Sequence, residues 1–486
     1  MPRSIVIHGH YYQPPREDPW LEEIQRQATA APFHDWNERI DSECYRAVVA
    51  ARVLGADGTV ARTVNTLAYT SFNFGPTLLA WMQHASPETY DAVREADRSS
   101  AARLGGHGNA MAQAYHHTIL PLASRRDKTT EVRWGIADFR DRFGRLPEGM
   151  WLPETAVDDE TLDVFAEQGI RYTILAPHQV TAPPAHGLPG LYRTSNGREI
   201  AIFVYDGPLS HGIAFGNLLR DGAAWAARLT AGLGDEDAAQ DAAANAASEQ
   251  PELLAMATDG ETYGHHHRFG DMALAKVVDT LERRRDVRME NFASFLARHP
   301  ARTPVTLVTP SAWSCAHGVE RWRADCGCGA STTSPSQQWR APFREAMQQL
   351  ADGLHAAFER DGRAYFSDPW EARNQYLSDQ FAERGTGVER ALDDRARELL
   401  EMERNTLRLF TSCAWFFDDL DRLEPLQIMR YAARAIELAG ADGPALEERL
   451  LTDLAEARSS DPDAGTARDI YLRKAKNVSV SLQGCD

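Results

Sequence analysis

Two carboxylates, Glu154 and Asp259, stand just after short apolar runs of the chain, residues 150–152 and 253–257. Cleavage of a glycosidic bond requires two carboxyl groups, because one attacks or stabilises the anomeric carbon while the other protonates the leaving oxygen. Their surroundings must hold the two pKa values apart. We therefore interpret Glu154 and Asp259 as a candidate catalytic pair.

The neighbours of the two acids strengthen this interpretation. Trp151 lies next to Glu154, and a sugar ring stacks well on an indole. Asp259-Gly260 alone would indicate only a turn. It is followed, however, by Glu261 and by three consecutive histidines beginning at His265, a density of functional groups that a turn does not need. The alternatives are a surface acid for Glu154 and turn chemistry for Asp259.

Further polar residues follow the other apolar runs. The first run, residues 4–7, precedes His8, His10 and Gln13, whose side chains can hydrogen-bond sugar hydroxyls, and imidazoles also bind metals. Asp206 follows the run 200–205 and either binds a sugar hydroxyl or begins a turn with the following Gly-Pro. A pair of loop histidines beside a turn is the alternative for the first group.

One short segment combines cysteines with a histidine. Cys315, His317, Cys326 and Cys328 could form a tetrahedral zinc site of structural type. Their order, C-x-H and then C-x-C, is not a common zinc pattern, so a loop of reduced thiols is the alternative. The whole chain has 6 cysteines in 486 residues, too few for a disulfide scaffold.

The elements that position these residues alternate between strands and helices. Residues 158–168 are predicted to form a helix that ends at Gly169, and residues 272–284 another helix with Asp271 as its N-cap. Alternating strands and helices predict a parallel β/α architecture. In a β/α barrel the carboxyl ends of the strands converge on one mouth, which is how Glu154 and Asp259 could meet.

Changes in composition and in the spacing of apolar residues divide the chain into two regions. Residues 1–334 are predicted to form the barrel, with an acidic, alanine-rich insertion at 234–250. Residues 335–486 are predicted to be helical, because apolar residues recur about every 3.6 positions over 339–359, 388–417, 426–439 and 445–458. A strand is expected at 478–482.

Charge and hydropathy limit the partners. The formal net charge is −18, which argues against nucleic acid or an anionic membrane as the main partner. Neither a signal peptide nor a membrane span is visible in the sequence, so we expect a cytoplasmic protein. A neutral substrate fits this charge, and the oligomeric state is left open.

Three stretches in this order resemble glycoside hydrolase family 57: HGHYYQPP, GMWLPETAVDDETLDVFAEQGIRYTILAPHQ and ATDGETYGHHHRFGDMALA. The resemblance extends to about residue 345, and the forms of the motifs are similar to a subgroup with a C-terminal helical domain of unknown function. It implies an incomplete (β/α)7 TIM-like barrel followed by helices. It also implies a retaining mechanism on α-glucans without a required cofactor, with Glu154 as nucleophile and Asp259 as general acid/base.

The sequence departs from the family pattern in two motifs. The usual first motif is His-x-His-Gln-Pro, whereas Tyr11 and Tyr12 here precede the Gln-Pro pair. The second motif usually supplies a glutamate, whereas this chain has histidines, including His107 and His116. The resemblance also implies that the last motif lends an aromatic side chain to the cleft. The candidates for that role are Trp313, His317 and Trp322.

Two other functions remain as alternatives. A metal-dependent carbohydrate enzyme of the deacetylase type would use the histidines as ligands, namely His8, His10, His107, His116 and those at 265–267. A non-catalytic glycan-binding protein would need only the fold. We favour the glycoside hydrolase or transglycosidase because both carboxylate motifs are complete.

Overall fold

The computed structural model describes residues 3–231, 251–329, 336–386 and 392–476. The predicted insertion at 234–250 and the predicted strand at 478–482 lie outside these residues. The strands are β1 Arg3–Tyr11, β2 Ala51–Leu54, β3 Val60–Val64, β4 Ser71–Phe74, β5 Ala112–Gln113, β6 Met150–Trp151, β7 Tyr172–Leu175, β8 Val180–Thr181, β9 Gly190–Arg193, β10 Glu199–Val204, β11 Leu253–Asp259, β12 Val287–Met289, β13 Thr303–Pro304 and β14 Thr306–Leu307.

The helices are α1 Trp36–Ile40, α2 Arg46–Val49, α3 Pro76–Ala85, α4 Pro87–Arg103, α5 Arg125–Phe143, α6 Asp159–Glu167, α7 Gly207–Ala214, α8 Gly222–Leu229, α9 Gly270–Glu282, α10 Phe292–Arg298, α11 Arg340–Gly362, α12 Pro369–Thr386, α13 Asp394–Arg408, α14 Cys413–Phe416, α15 Leu423–Leu438, α16 Gly443–Leu454 and α17 Ala467–Ile470. Within the described ranges, no helix combines the length and apolar character needed to cross a bilayer.

Parallel strands form a curved, barrel-like array. β1 pairs in parallel with β11 on one side and with β4 on the other. From β4 the array continues through a parallel bridge, Phe72↔Ala110, to β5, which pairs with β6. β6 leads through the bridge Gly149↔Tyr172 to β7, and β7 pairs with β10. Just after β10, the amide of Asp206 donates to the carbonyl of Ala255 in β11, 2.7 Å away.

The histidines of the first motif lie inside β1, which corrects the expectation that the strand ends before them. β1 runs to Tyr11, and His8 and His10 point to the same face because side chains alternate along a strand. An imidazole is tolerated in this buried row since its nitrogens find hydrogen-bond partners. Asp259 is the last residue of β11, as the predicted strand end requires.

Helix boundaries agree with the prediction for α6 but not for α9. The side chain of Asp158 accepts a hydrogen bond from the amide of Thr161 and caps α6, and Gly169 follows it with φ +84°. α9 begins at Gly270, so the predicted N-cap Asp271 lies inside its first turn. The helix starts earlier because Phe269, in the left-handed conformation, makes the chain reversal.

The C-terminal helices share a hydrophobic core with the barrel. Trp134 of α5 and Ala312 of the loop after β14 pack with residues of α11, α13, α14 and α15, among them Trp415 of α14. The predicted helix 388–417 is wrong in extent: residues 388–391 lie outside the described ones, and the described part divides into α13 and α14. α12, which precedes this segment, was not predicted. The apolar spacing of about 3.6 residues continues across the turns between these helices, so the spacing alone did not reveal where one helix ends and the next begins.

Candidate active site

Glu154 occupies a strained turn directly after β6. It adopts φ 58°, ψ 20°, and the next residue, Thr155, also has a positive φ of 48°. Such conformations cost non-glycine residues about 1–3 kcal/mol each and persist only where the surroundings impose them. Here the amide of Trp313 donates to the carbonyl of Glu154, 3.0 Å away. The side-chain amide of Gln179 donates to the carbonyl of Thr155, 2.8 Å away.

Two hydrogen bonds converge on one oxygen of the Glu154 carboxylate. The indole N–H of Trp313 donates to Oε2 over 3.0 Å, and the hydroxyl of Ser314 donates to the same atom over 2.6 Å. Among the described residues, no hydrogen bond reaches Oε1. Burial raises the pKa of Glu154, while Ser314, Trp313 and the charge of Arg321 oppose the rise. The carboxylate is therefore held in one orientation with one oxygen open to a ligand.

Asp259 and Glu261 form the second acidic group of the site. Asp259 is exposed to solvent although protein surrounds it on its other sides. Loss of hydration raises its pKa well above the usual value, and the charges of Glu261 and Glu154 raise it further. The side chain of Glu261 is buried, and it accepts hydrogen bonds from the Tyr45 hydroxyl at 2.5 Å and the Tyr12 amide at 3.0 Å. Burial raises the pKa of Glu261 to about 7.

His8, His10 and Trp151 form a packed layer beneath these acids. His8 and Trp151 are fully buried, and their rings stack 4.8 Å apart. The side-chain amide of Asn73 accepts from Nε2 of His8 and donates to Nδ1 of His10. Burial lowers the pKa of both histidines to about 3, so both are neutral. The expected sugar contacts of Trp151 and His8 are thus corrected: both lie below the surface and support the turn that carries Glu154.

The remaining histidines do not meet at one point. His107 pairs with Glu148 at 2.7 Å, just before β6, so it lies at the opposite end of the strands from Glu154. His116 is fully buried and pairs with Glu131 at 2.7 Å, and His265 pairs with Glu43. The expected substrate contacts of His107 and His116 are therefore wrong, because one is at the far end of the barrel and the other is sealed.

Of the other residues predicted for the site, one contacts Glu154, whereas others are buried or cap a helix. Trp313 is half-buried and contacts Glu154 directly. Trp322 is fully buried in the core shared with the C-terminal helices, which rules out its expected cleft position. Gln13 is buried and accepts from Arg16 at 3.2 Å. The carboxylate of Asp206 accepts from the amide of Leu209 at 2.8 Å and caps α7, which agrees with the turn alternative.

Several neighbours of the two acids were not foreseen. The half-buried ring of Tyr12 stacks on His117 at 3.8 Å, and its pKa is raised mainly by burial and further by Cys413 and Glu154. The thiol of Cys413 donates to the Tyr12 hydroxyl at 3.6 Å. The position of Ser314 next to Trp313 was one sequence feature that could have placed it at the site. No such feature pointed to Cys413, because it lies in the C-terminal helices.

The four predicted metal ligands of the cysteine-rich segment lie close together in the structure. One potential ligand atom from each of Cys315, His317, Cys326 and Cys328 lies within 4.8 Å of all the others. In the described part of the chain this is the only group of three or more His, Cys, Asp or Glu side chains with such an arrangement. The histidines of the first and second motifs form no comparable group there.

Two family models together match most of the chain. The model described as glycosyl hydrolase family 57 matches residues 21–307, and a domain of unknown function, DUF3536, matches residues 336–485. A curated relative, alpha-amylase 1 of Dictyoglomus thermophilum, is 27% identical over 104 residues, which are 21% of this chain and 14% of that protein. The chain thus matches only a small part of that relative's length.

Solved structures resemble the whole chain in fold. An exo-type maltose-forming amylase from Pyrococcus sp. ST04 has a TM-score of 0.72 at 16% identity, over 98% of this chain and 88% of that one. A branching enzyme from Pyrococcus horikoshii has a TM-score of 0.55 at 14% identity, over 99% and 96%. A 4-alpha-glucanotransferase from Thermococcus litoralis has a TM-score of 0.54 at 14% identity, over 90% and 59%. The shared fold is a TIM-like barrel with a helical C-terminal region.

Proposed function

The chain belongs to glycosyl hydrolase family 57, and from this premise we propose that it cleaves or transfers α-glucosidic linkages of α-glucans with retention of configuration. The observation that carries the proposal is the oriented carboxylate of Glu154, whose charge is near enough to the solvent-facing Asp259 to contribute to its raised pKa. The barrel is accordingly proposed to be of the incomplete (β/α)7 type.

Glu154 is the nucleophile of this reaction. Its Oε2 is held by Trp313 and Ser314, which leaves Oε1 to attack the anomeric carbon. The two donors and the nearby charge of Arg321 favour the ionised carboxylate that attack requires. The bond from the anomeric carbon to the glycosidic oxygen breaks as the bond to Glu154 forms, which gives a covalent glycosyl-enzyme.

Asp259 is the general acid/base. A carboxyl group with a raised pKa retains its proton near neutral pH and can donate it to the departing glycosidic oxygen. The resulting carboxylate then takes a proton from the acceptor hydroxyl, whose oxygen attacks the anomeric carbon of the glycosyl-enzyme. The bond to Glu154 breaks, its carboxylate is released, and the original configuration is restored. Glu261 supports this role because its negative charge disfavours ionisation of Asp259.

The acceptor distinguishes hydrolysis from transfer. Water as acceptor gives an amylase-type enzyme, and a sugar hydroxyl gives a glucanotransferase or branching enzyme. The half-buried rings of Tyr12 and Trp313 near Glu154 are suitable stacking surfaces for glucose units next to the cleaved bond. Solved structures of similar fold carry all three descriptions, so the proposal covers this whole group.

The two alternatives have less support. A deacetylase-type enzyme needs converging ligands at the mouth, but His107, His116 and His265 are each paired with a different carboxylate. A glycan-binding protein has no need of a nucleophile held in a strained turn.

Incubation with maltoheptaose tests the proposal. Shorter products alone would indicate hydrolysis, longer ones transfer, and new branch points branching. The matched variants Glu154→Gln and Asp259→Asn should abolish each of these, while Glu95→Gln, at an exposed helix position, should not. No conversion of maltoheptaose, amylose or glycogen by the unmodified chain would contradict the proposal.

A further inference from the structure

We propose that Cys315, His317, Cys326 and Cys328 bind a structural zinc ion that holds the loop carrying Trp313 and Ser314 against Glu154. Only the effect on the reaction rests on the proposed function. The metal site itself stands on the geometry of the four side chains.

The four side chains already have nearly the spacing of a tetrahedral site. With zinc–sulfur bonds of about 2.3 Å and zinc–nitrogen bonds of about 2.0 Å, ligand atoms lie roughly 3.5–3.8 Å apart. Sγ of Cys328 and Nδ1 of His317 are 3.6 Å apart, and no pair of the four ligand atoms exceeds 4.8 Å. Closure around an ion therefore needs side-chain shifts of about 1 Å or less.

The backbone brings the ligands together by turns. Gly327 separates Cys326 from Cys328 and has φ +80°, a conformation that reverses the chain between the two thiols and disfavours any side chain. Gly318 follows His317 with φ +83°, and an added Cβ would lie 2.7 Å from the carbonyl of Pro310. Both turns would be costly for other residues, and both serve to present ligand side chains.

The charge around the cluster suits three thiolates. Three thiolates, a neutral imidazole and Zn²⁺ carry one net negative charge, which requires compensation when partly buried. The guanidinium of Arg340 donates to the carbonyl of Cys328 at 2.9 Å. Arg321 donates to the carbonyl of Ser314 at 3.1 Å and lies over the ring of Phe416 at 3.6 Å. Two buried cations thus flank the segment that would carry the negative charge.

The coordination set indicates a structural ion. Four protein ligands complete a tetrahedron and leave no position for water or substrate. Thiolates with one imidazole favour zinc among the common divalent cations, since magnesium and calcium prefer oxygen ligands. Because no coordination position is left open, the ion takes no part in bond cleavage.

The connection to Glu154 is short. Cys315 follows Ser314 directly, and Ser314 donates to Glu154 at 2.6 Å. The amide of Trp313 also donates to the hydroxyl of Thr155 at 3.0 Å, which supports the strained turn. A metal that closes the loop behind Ser314 removes conformational freedom from both hydrogen-bond donors.

Metal analysis of tag-free full-length protein tests the site. We expect about one zinc per chain, retained through dialysis against a weak chelator. Cobalt substitution should give the thiolate-to-cobalt absorption and the strong d–d bands of a tetrahedral centre. The variants Cys328→Ser and His317→Gln should lose most of the metal, whereas the control Cys413→Ser should keep it.

Two results would overturn the site: three freely titrating thiols in a metal-free folded protein, or a disulfide among Cys315, Cys326 and Cys328. These readouts do not depend on turnover, so they decide the metal site even if no glucan is cleaved. For an active enzyme, Cys328→Ser should lower kcat about tenfold with little change in KM, the effect of loosening one charge-assisted hydrogen bond. A metal-free variant with unchanged kcat would refute the link to Glu154.

Discussion

The hydroxyl of Ser314 donates a 2.6 Å hydrogen bond to Oε2 of Glu154, across 160 positions of the chain. It joins the loop after β14 to the turn after β6, and Trp313 contacts the same oxygen. Glu154, the proposed nucleophile, is thus oriented by a segment that the C-terminal helices pack against, since Arg321 of that segment donates to the carbonyl of Phe416 at 2.9 Å.

Removing the carboxylate of Glu154, the proposed nucleophile, should abolish turnover in a way that an external anion restores. We expect Glu154→Ala to lower kcat/KM by at least about 10³-fold, the scale on which loss of a nucleophile acts in other enzymes. Azide should enter the space left by the carboxylate, attack the anomeric carbon from the same face and give the inverted product, a β-glycosyl azide, from an activated α-glucoside. Retention of more than a tenth of the activity would contradict the assignment, and Glu95→Gln serves as the surface control.

Ser314→Ala should displace the acidic limb of the pH profile. The hydroxyl stabilises the ionised carboxylate of Glu154, so its loss raises the pKa of that group and moves the limb to higher pH. We expect kcat to fall about ten- to a hundredfold, because a hydrogen bond to a charged group contributes about 1.5–3 kcal/mol. Ser314→Thr keeps the hydroxyl and should retain the original limb. An unshifted profile in Ser314→Ala would assign Ser314 a packing role only.

Glu261→Gln should move the alkaline limb. The charge of Glu261 helps to raise the pKa of Asp259, the proposed proton donor. Removing it lowers that pKa, so Asp259 loses its proton at lower pH and the descending limb of kcat/KM shifts downward. Because the acids titrate together, the shift is read from the macroscopic pKa values of the profile. A limb that stays in place would mean that another group is the proton donor.

The stability of the protein should fall as the pH rises through about 9. His355 of α11 lies between Glu403 at 3.0 Å and Asp127 at 3.6 Å; burial alone would lower its pKa, but the two carboxylates raise it to about 9. A group whose pKa is raised on folding contributes fully below its unfolded value, about 6.5, and the contribution is lost above the folded value. We expect ~3 kcal/mol to be lost, measured by urea unfolding at a series of pH values.

His355→Gln should flatten that dependence, and the exposed control His211→Gln should leave it unchanged. An equal slope in His355→Gln and the parent protein would show that other groups govern alkaline stability.

Local patterns in the sequence determined much of the barrel. The apolar runs before Glu154 and Asp259 are strands, because continuous apolar residues bounded by turns indicate a buried parallel strand. The family motifs follow the same order along the chain, and α6 begins and ends near its predicted caps. These features depend on neighbours within a few positions, which is why they could be read from one sequence.

Other features were decided only by packing over long distances. Sequence alone cannot distinguish a histidine that faces the cleft from one beneath it, and His8 and His116 proved to be sealed while Trp151 supports rather than contacts a ligand. The depth of a side chain depends on which strands and helices close over it, and those lie far apart in the sequence.

For the two carboxylates, the sequence determined some properties and the tertiary structure decided others. Their residue types and strand-end positions follow from the sequence, which also predicted that they belong to one site. The bond from Ser314, the charge of Glu261 beside Asp259 and the gathering of Cys315, His317, Cys326 and Cys328 arise only when the chain folds. Hydrogen bonds and charge interactions act over a few ångströms in space, so the tertiary structure alone decides which distant residues take part.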